Sequence, residues 1–249
     1  MLKKAHISLI KPAKDEESYA KWKEARLAKF TSSEIHYLTY PTGLTDGSMS
    51  YIRRKVGEEL TGKPARDDFE TDATRHGLLH EEAAVRKFGI KMGLTFVVVQ
   101  QLISEPGTRF GGTPDALILL RESPDGTEYE VETVEVKCPP SFDAYIALFE
   151  CDTPQQVKLV NRAYYWQVLD QMLLCGALRG HFVIYHPDFK AGNHKTITFV
   201  VNQDVPDPKD PKKKIFPIHA DLKILKERKD MALVKFDQIR SKLMAVKAI

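Results

Sequence analysis

An aspartate, a glutamate and a lysine stand out in this chain for their spacing. Asp115 lies in TPDA at the head of the apolar run ALILL; nineteen residues then intervene before Glu135 in VEVKCPP, and Lys137 follows two places on. Strand formers dominate residues 131–138, and Pro139–Pro140 end the run. Alternation along a strand places Val134, Val136 and Cys138 on one face and Thr133, Glu135 and Lys137 on the other. The turn signal SPDG at 123–126 pairs this strand with residues 116–122 as a hairpin, which brings Asp115 beside Glu135. Two carboxylates at adjacent strand ends form a hard-oxygen site of the kind Mg²⁺ uses when it binds substrate phosphate. Lys137 points the same way, where an ammonium holds an attacking water or offsets charge on a phosphorane-like transition state. An isolated E-x-K in a strand is ordinarily an exposed ion pair of little worth. The longer pattern, with GGTP before the aspartate and CPP after the lysine, is far more restrictive.

A further carboxylate comes from a helical stretch at about 71–88. On a 3.6-residue wheel Glu81 falls between Phe88 and Val85, inside the apolar stripe, while Glu82 sits at its edge. A glutamate facing a core needs a partner. Glu81 is either a metal-shell ligand, with Glu82 as the alternative, or half of an ion pair with Arg75 or Arg86.

The elements that must position these groups follow from periodicity. Residues 15–29 read as a helix with an acidic start and basic end. TSSE at 31–34 has capping-box form, with Thr31 as N-cap and Glu34 three places on, so a short helix is expected before PTGLTDG. Residues 48–61 are helical up to Gly62. TFVVVQQ (95–101), HFVIYH (181–186) and TITFVV (196–201) add strands. One long, well-buried helix is expected over 158–176, a loop over 202–217, and a closing helix over about 218–247. The order implies an α/β fold around a central mixed β-sheet flanked by helices. One domain over 1–249 accounts for it: a helical part at about 15–90, a sheet core at about 95–201, then the closing helix.

Composition sets bounds without naming a partner. The chain of 249 residues is 43% hydrophobic and 29% charged, with a net charge of +3. No apolar stretch approaches the ~20 residues that span a bilayer, and no secretory signal is expected. Cys138, Cys151 and Cys175 lack metal-ligand spacing and read as free thiols of a reducing cytoplasm. The histidines show no H-x-x-H pattern, and no P-loop is present, so no nucleotide cofactor is expected. The run KDPKKK, with Lys209 and Lys212–Lys214, is either a solvated loop or a phosphate-tracking one.

TPDA and VEVKCP resemble the motif of the PD-(D/E)xK nuclease superfamily, and more closely that of the phage lambda-type 5′→3′ exonucleases that serve recombination. WKEARLAKFTSSEIH, HGLLHEEAAVRKF and AYYWQVLDQM resemble further segments of that family, so the likeness runs from about residue 19 to 190. Ala116 departs from the glycine common there. The resemblance implies a restriction-endonuclease-like core and hydrolysis of one strand of linear double-stranded DNA from its 5′ end. Mg²⁺, with Mn²⁺ as a substitute, would be held by Asp115, Glu135, Glu81 and the Val136 carbonyl, with Lys137 beside the water. It puts Arg26 and Ser33 in a 5′-phosphate pocket, a role that suits a guanidinium and a helix start, and brings Gln167 to the active site and terminal phosphate. It also implies a ring-shaped homotrimer, a single-strand annealing protein as partner, and a phage protein at work in the bacterial cytoplasm. The alternatives are a different endonuclease or repair nuclease of the superfamily, or a non-catalytic DNA-end-binding scaffold.

Overall fold

A computed structural model describes residues 2–3, 7–8, 16–65, 72–94, 98–99, 102–207 and 209–246. In chain order come β1 (Leu2–Lys3), β2 (Ile7–Ser8), α1 (Glu16–Arg26), β3 (Phe30–Thr31) and a 3₁₀ helix (Ser32–Leu38). Then follow α2 (Asp46–Thr61), α3 (Asp72–Met92), β4 (Val98–Val99), β5 (Leu102–Ser104), β6 (Phe110–Gly112), β7 (Ala116–Glu122) and β8 (Glu128–Lys137). The chain continues through α4 (Phe142–Phe149), α5 (Pro154–Val160), α6 (Arg162–Cys175), β9 (Arg179–Tyr185), β10 (His194–Val200), β11 (Val205–Asp207), β12 (Asp210–Ile215) and α7 (Pro217–Ala245).

The main sheet runs β10–β9–β8–β7–β4, with β1 also on β8. β7 and β8 form the expected antiparallel hairpin, closed by hydrogen bonds from Gly126 N to Ser123 O and from Ser123 N to Glu128 O, both 2.9 Å. β8 and β9 are parallel, while β9 and β10 are antiparallel, so the sheet is mixed. A parallel neighbour needs a long crossover, and α4, α5 and α6 supply it. That path returns α6 across one face of β8. α3 covers the other face: Ala84, Val85 and Phe88 pack with Ala116, Ile118, Val134, Val136, Cys138 and Val183. β8 is therefore buried on both sides, and its alternation separates two cores instead of core from solvent.

A smaller sheet, β2–β5–β6–β3, had no clear signal in the sequence. Its β3 and β6 pair in parallel for two residues, Phe30 with Phe110 and Thr31 with Gly111. α2 ends where Gly62 takes the left-handed conformation at φ 67°, which glycine adopts without strain.

Several expectations need correction. The helix expected over 158–176 is two helices broken at Asn161, whose backbone is extended (φ −145°, ψ 92°) and whose side chain accepts from Tyr164 N. The first starts earlier, at a Thr153–Gln156 capping box with Pro154 in its first turn. Leu159 and Val160 feigned continuity; they are 86% and 48% exposed. The loop expected over 202–217 holds the ribbon β11–β12. Both strands of a two-stranded ribbon are edges, where proline is tolerated, and the register shifts just after Pro206. Thr31 makes no cap hydrogen bond and the helix after it is 3₁₀; Glu34 pairs instead with Arg54 at 2.5 Å. Of the strand expected over 95–101, only Val98–Val99 lies in β4; the other positions fall outside the described residues.

Candidate active site

The ladder between β7 and β8 ends at Ala116 opposite Val134. One step further, where the strands splay, Asp115 Oδ2 accepts a hydrogen bond from Val136 N at 2.6 Å. Glu135 points to the opposite face from its Val neighbours, as strand alternation demands, but that face meets α6 and not water. The residue is only 2% exposed. Its Oε1 accepts from Lys137 Nζ and Gln167 Nε2, and its Oε2 from Gln171 Nε2, each at 2.5 Å. The solvent-exposed ion pair that an E-x-K ordinarily makes is thus excluded here. Lys137 also lies over the Tyr164 ring, 5.0 Å from its centre.

The electrostatics tie these groups to Glu81. Burial pushes the Asp115 carboxyl well above its ordinary range; Glu135 and Glu81 push the same way, against Lys137 and the Val136 N–H. Burial alone would lower the Lys137 ammonium, but Glu135 and Asp115 outweigh it and hold the group above its usual value. Burial, Glu81 and Asp115 raise the Cys138 thiol to about 12, so it is inert as a nucleophile near neutral pH. All three cysteines are free and buried. Glu81 is half-buried, while Glu82, the alternative, is exposed.

The end-binding candidates occupy a neighbouring segment. Arg26 closes α1, its guanidinium over the Trp22 ring at 4.1 Å. Ser33 is exposed, with its hydroxyl 3.3 Å from that of Thr31. Ser32, between them, turns inward and donates to Asp170 Oδ2 at 2.7 Å. Because Asp170 lies on α6, the segment Thr31–Ser33 rests on the same helix that presents Gln167 to Glu135. Lys212–Lys214 lie on β12, where Lys214 pairs with Asp204 at 2.5 Å and Lys213 approaches Asp210 at 3.8 Å.

Two residues escaped the sequence reading. Gln171 sits one turn after Gln167 on the same face, and a second amide in an apolar helix was the signal. Asp170 is fully buried in that helix, and a buried charge always implies a partner; Lys229 supplies one at 3.2 Å.

Among the described residues, no three carboxylate, imidazole or thiol groups already stand around a common point at ligand distances. The donor set nevertheless suits a hard divalent ion. It consists of carboxylates, and their mutual repulsion at Asp115 is what such an ion neutralises. The hydrogen bonds to Glu135 leave lone pairs available, since an ionised carboxylate offers about four acceptor sites.

The fold has close counterparts. An alkaline exonuclease from Laribacter hongkongensis superposes with a TM-score of 0.62 at 18% identity, covering 91% of this chain and 99% of that one. Its complex with dAMP gives 0.61 at 19% identity with the same coverage. A phage-related exonuclease from Haemophilus somnus gives 0.56 at 18% identity, over 86% of this chain and 96% of that one. At these identities the likeness establishes the architecture, a restriction-endonuclease-like core. No curated protein sequence matches the chain. The family model of the YqaJ-like viral recombinase domain matches residues 21–177, a span from Lys21 in α1 to the end of α6 that takes in Glu81, Asp115, Glu135 and Asp170, and the chain belongs to that family.

Proposed function

We propose that this chain is a metal-dependent 5′→3′ exonuclease that digests one strand of linear double-stranded DNA and leaves 3′ single-stranded tails for annealing. The observation that carries the reading is the gathering of Glu135, Glu81 and Lys137 around Asp115, with Lys137 paired to Glu135 and the charge of Asp115 opposed by the two glutamates. Asp115, Glu135, Glu81 and the Val136 carbonyl would hold Mg²⁺, or Mn²⁺ in its place, which supplies Lewis-acid stabilisation of charge on the scissile phosphate. In a strand a residue's N–H and C=O point to the same side, so the Val136 N–H given to Asp115 supports that carbonyl's role.

Lys137 keeps its proton, so it acts as a fixed cation and hydrogen-bond donor: it orients the attacking water and offsets charge on the phosphoryl oxygens. Gln167 and Gln171 donate to the ionised form of Glu135 and hold it at a set angle. Arg26 offers a planar fork and Ser33 an exposed hydroxyl to the terminal 5′-phosphate. The work is done in one nuclease domain, as a ring-shaped homotrimer beside a single-strand annealing protein in a bacterial host's cytoplasm. The lambda-type resemblance supports these last points. Among the described residues no helix is long and apolar enough to cross a membrane.

The test is digestion of linear duplex with 5′-phosphate or 5′-hydroxyl ends, and of a covalently closed circle, in Mg²⁺ or chelator. The proposal expects metal-dependent loss of the linear forms, faster from the phosphate, with the circle spared. Digestion of the circle would make the protein an endonuclease, and undiminished digestion in chelator would end the metal reading.

A further inference from the structure

Ser32 stands where three parts of the proposed machinery meet. Its hydroxyl donates to Asp170 Oδ2 at 2.7 Å, and both residues are buried, at 2% and 0% exposure. Asp170 lies between Gln167 and Gln171, the two α6 amides that grip Glu135. On its other side, Ser32 faces the strand that delivers Asp115. A Cβ built on Gly112 would lie 2.1 Å from Ser32 Oγ, so only glycine fits opposite this hydroxyl. Gly112 is three residues before Asp115. Immediately before Ser32, Thr31 is fixed by its N–H bond to Tyr51 OH at 3.1 Å and by its pairing with Gly111. Immediately after it, Ser33 is exposed. The far side of Asp170 is closed by Lys229, which is 3% exposed, 3.2 Å from Asp170 Oδ1 and 3.0 Å from Glu105 Oε2.

We infer that Ser32 is a positioning residue: its hydrogen bond to Asp170 sets where Ser33 meets the terminal phosphate relative to the carboxylates, so end recognition and cleavage are held in register through α6. The inference rests on the reading above that Arg26 and Ser33 receive the 5′-phosphate. Consecutive residues with one side chain pinned inward leave little freedom to the other. The inward one is pinned by a buried carboxylate whose own place is fixed by an ion pair. A displacement of about 1 Å in a substrate-positioning group is enough to cost on the order of 10²-fold in rate.

Ser32→Ala removes the hydroxyl and keeps the small volume that Gly112 requires. The full chain and the variant are compared on 5′-phosphate and 5′-hydroxyl duplex in Mg²⁺, with KM and kcat separated and melting temperature recorded. Ser32→Ala should reduce the preference for the phosphate end roughly tenfold or more, through KM, with the hydroxyl-end rate unchanged. Ile197→Val and Phe199→Leu loosen the core on β10 without touching Ser32, Asp170 or the ion pair that holds it; these should melt lower yet keep the preference. Unchanged preference in Ser32→Ala overturns the inference and leaves the exonuclease standing. Loss of preference in all three variants, in step with melting temperature, also overturns it, because packing alone would then explain the effect. A wild-type protein that digests both ends equally removes the phosphate pocket and the inference with it, and one with no metal-dependent digestion removes the proposed function.

Discussion

Gln171 Nε2 lies 2.5 Å from Glu135 Oε2, the oxygen that Lys137 and Gln167 leave untouched. The carboxylate is therefore held at both ends from one helix. Replacing Gln171 with leucine removes one donor and frees Glu135 to rotate. Groups that orient a ligand in this way typically change metal affinity or activity about 10- to 100-fold when lost. The Mg²⁺ concentration for half-maximal digestion should rise by that factor in Gln171→Leu, measured by titration of initial rate, with melting temperature nearly unchanged in chelator.

Lys137→Ala removes the ammonium that pairs with Glu135 and acts on Asp115. Digestion should fall by on the order of 10²–10³-fold, the usual cost of one transition-state charge partner. Binding to linear duplex in Ca²⁺, followed by a mobility shift, should persist. Full activity in this variant would exclude Lys137 from the chemistry, and loss of binding would make its role one of substrate affinity.

Asp115→Asn should separate stability from activity. A carboxyl whose pKa is raised on folding binds its proton more tightly in the folded state. Stability therefore falls as pH rises from the ordinary carboxylate range to the raised value, above which that loss is complete. The amide carries no charge and still accepts from Val136 N. In chelator near neutral pH the variant should melt higher than wild type, by roughly 2–4 °C if the relief is about 1 kcal/mol. Its digestion should be abolished, and Mg²⁺ should raise the wild-type melting temperature more than the variant's.

His194, at the start of β10, sets an acid limit on the fold. Burial, then Lys91 and Lys87, push its imidazole down to about 4. As pH falls from about 6.5 to 4 the unfolded chain takes up a proton that the folded chain refuses, so stability falls with pH across that window. His194→Gln should flatten this part of the melting-temperature profile by on the order of 1 kcal/mol, the ring being only part-buried. An unchanged slope would place the acid sensitivity elsewhere, Glu132 beside His181 being the next group to examine.

The hairpin that presents Asp115 and Glu135 was legible because every signal for it is local: a turn at 123–126, alternation on both sides, and prolines after Lys137. The placement of Glu81 followed from one helical stripe. What could not be read depends on contacts across long stretches of chain. Glu135 and Gln171 are 36 residues apart, and Ser32 and Asp170 are 138 apart. Glu34 looked like a cap because a capping box is a local pattern, yet Arg54 from the next helix claims it. The break at Asn161 was hidden because Leu159 and Val160 continue the apolar run while facing outward. The strand ribbon at 205–215 was masked by proline and lysine, residues that weaken β propensity in a sheet interior but are tolerated where both strands are edges.

The absent side chain at position 112 makes two distant sites share one allotment of space. Bulk added there has to be given up at position 32, so the two should mutate as a pair. Single-site libraries at 112 should return glycine alone, whereas alanine there becomes tolerable once the serine has been pared to glycine, at the expense of its anchor on Asp170.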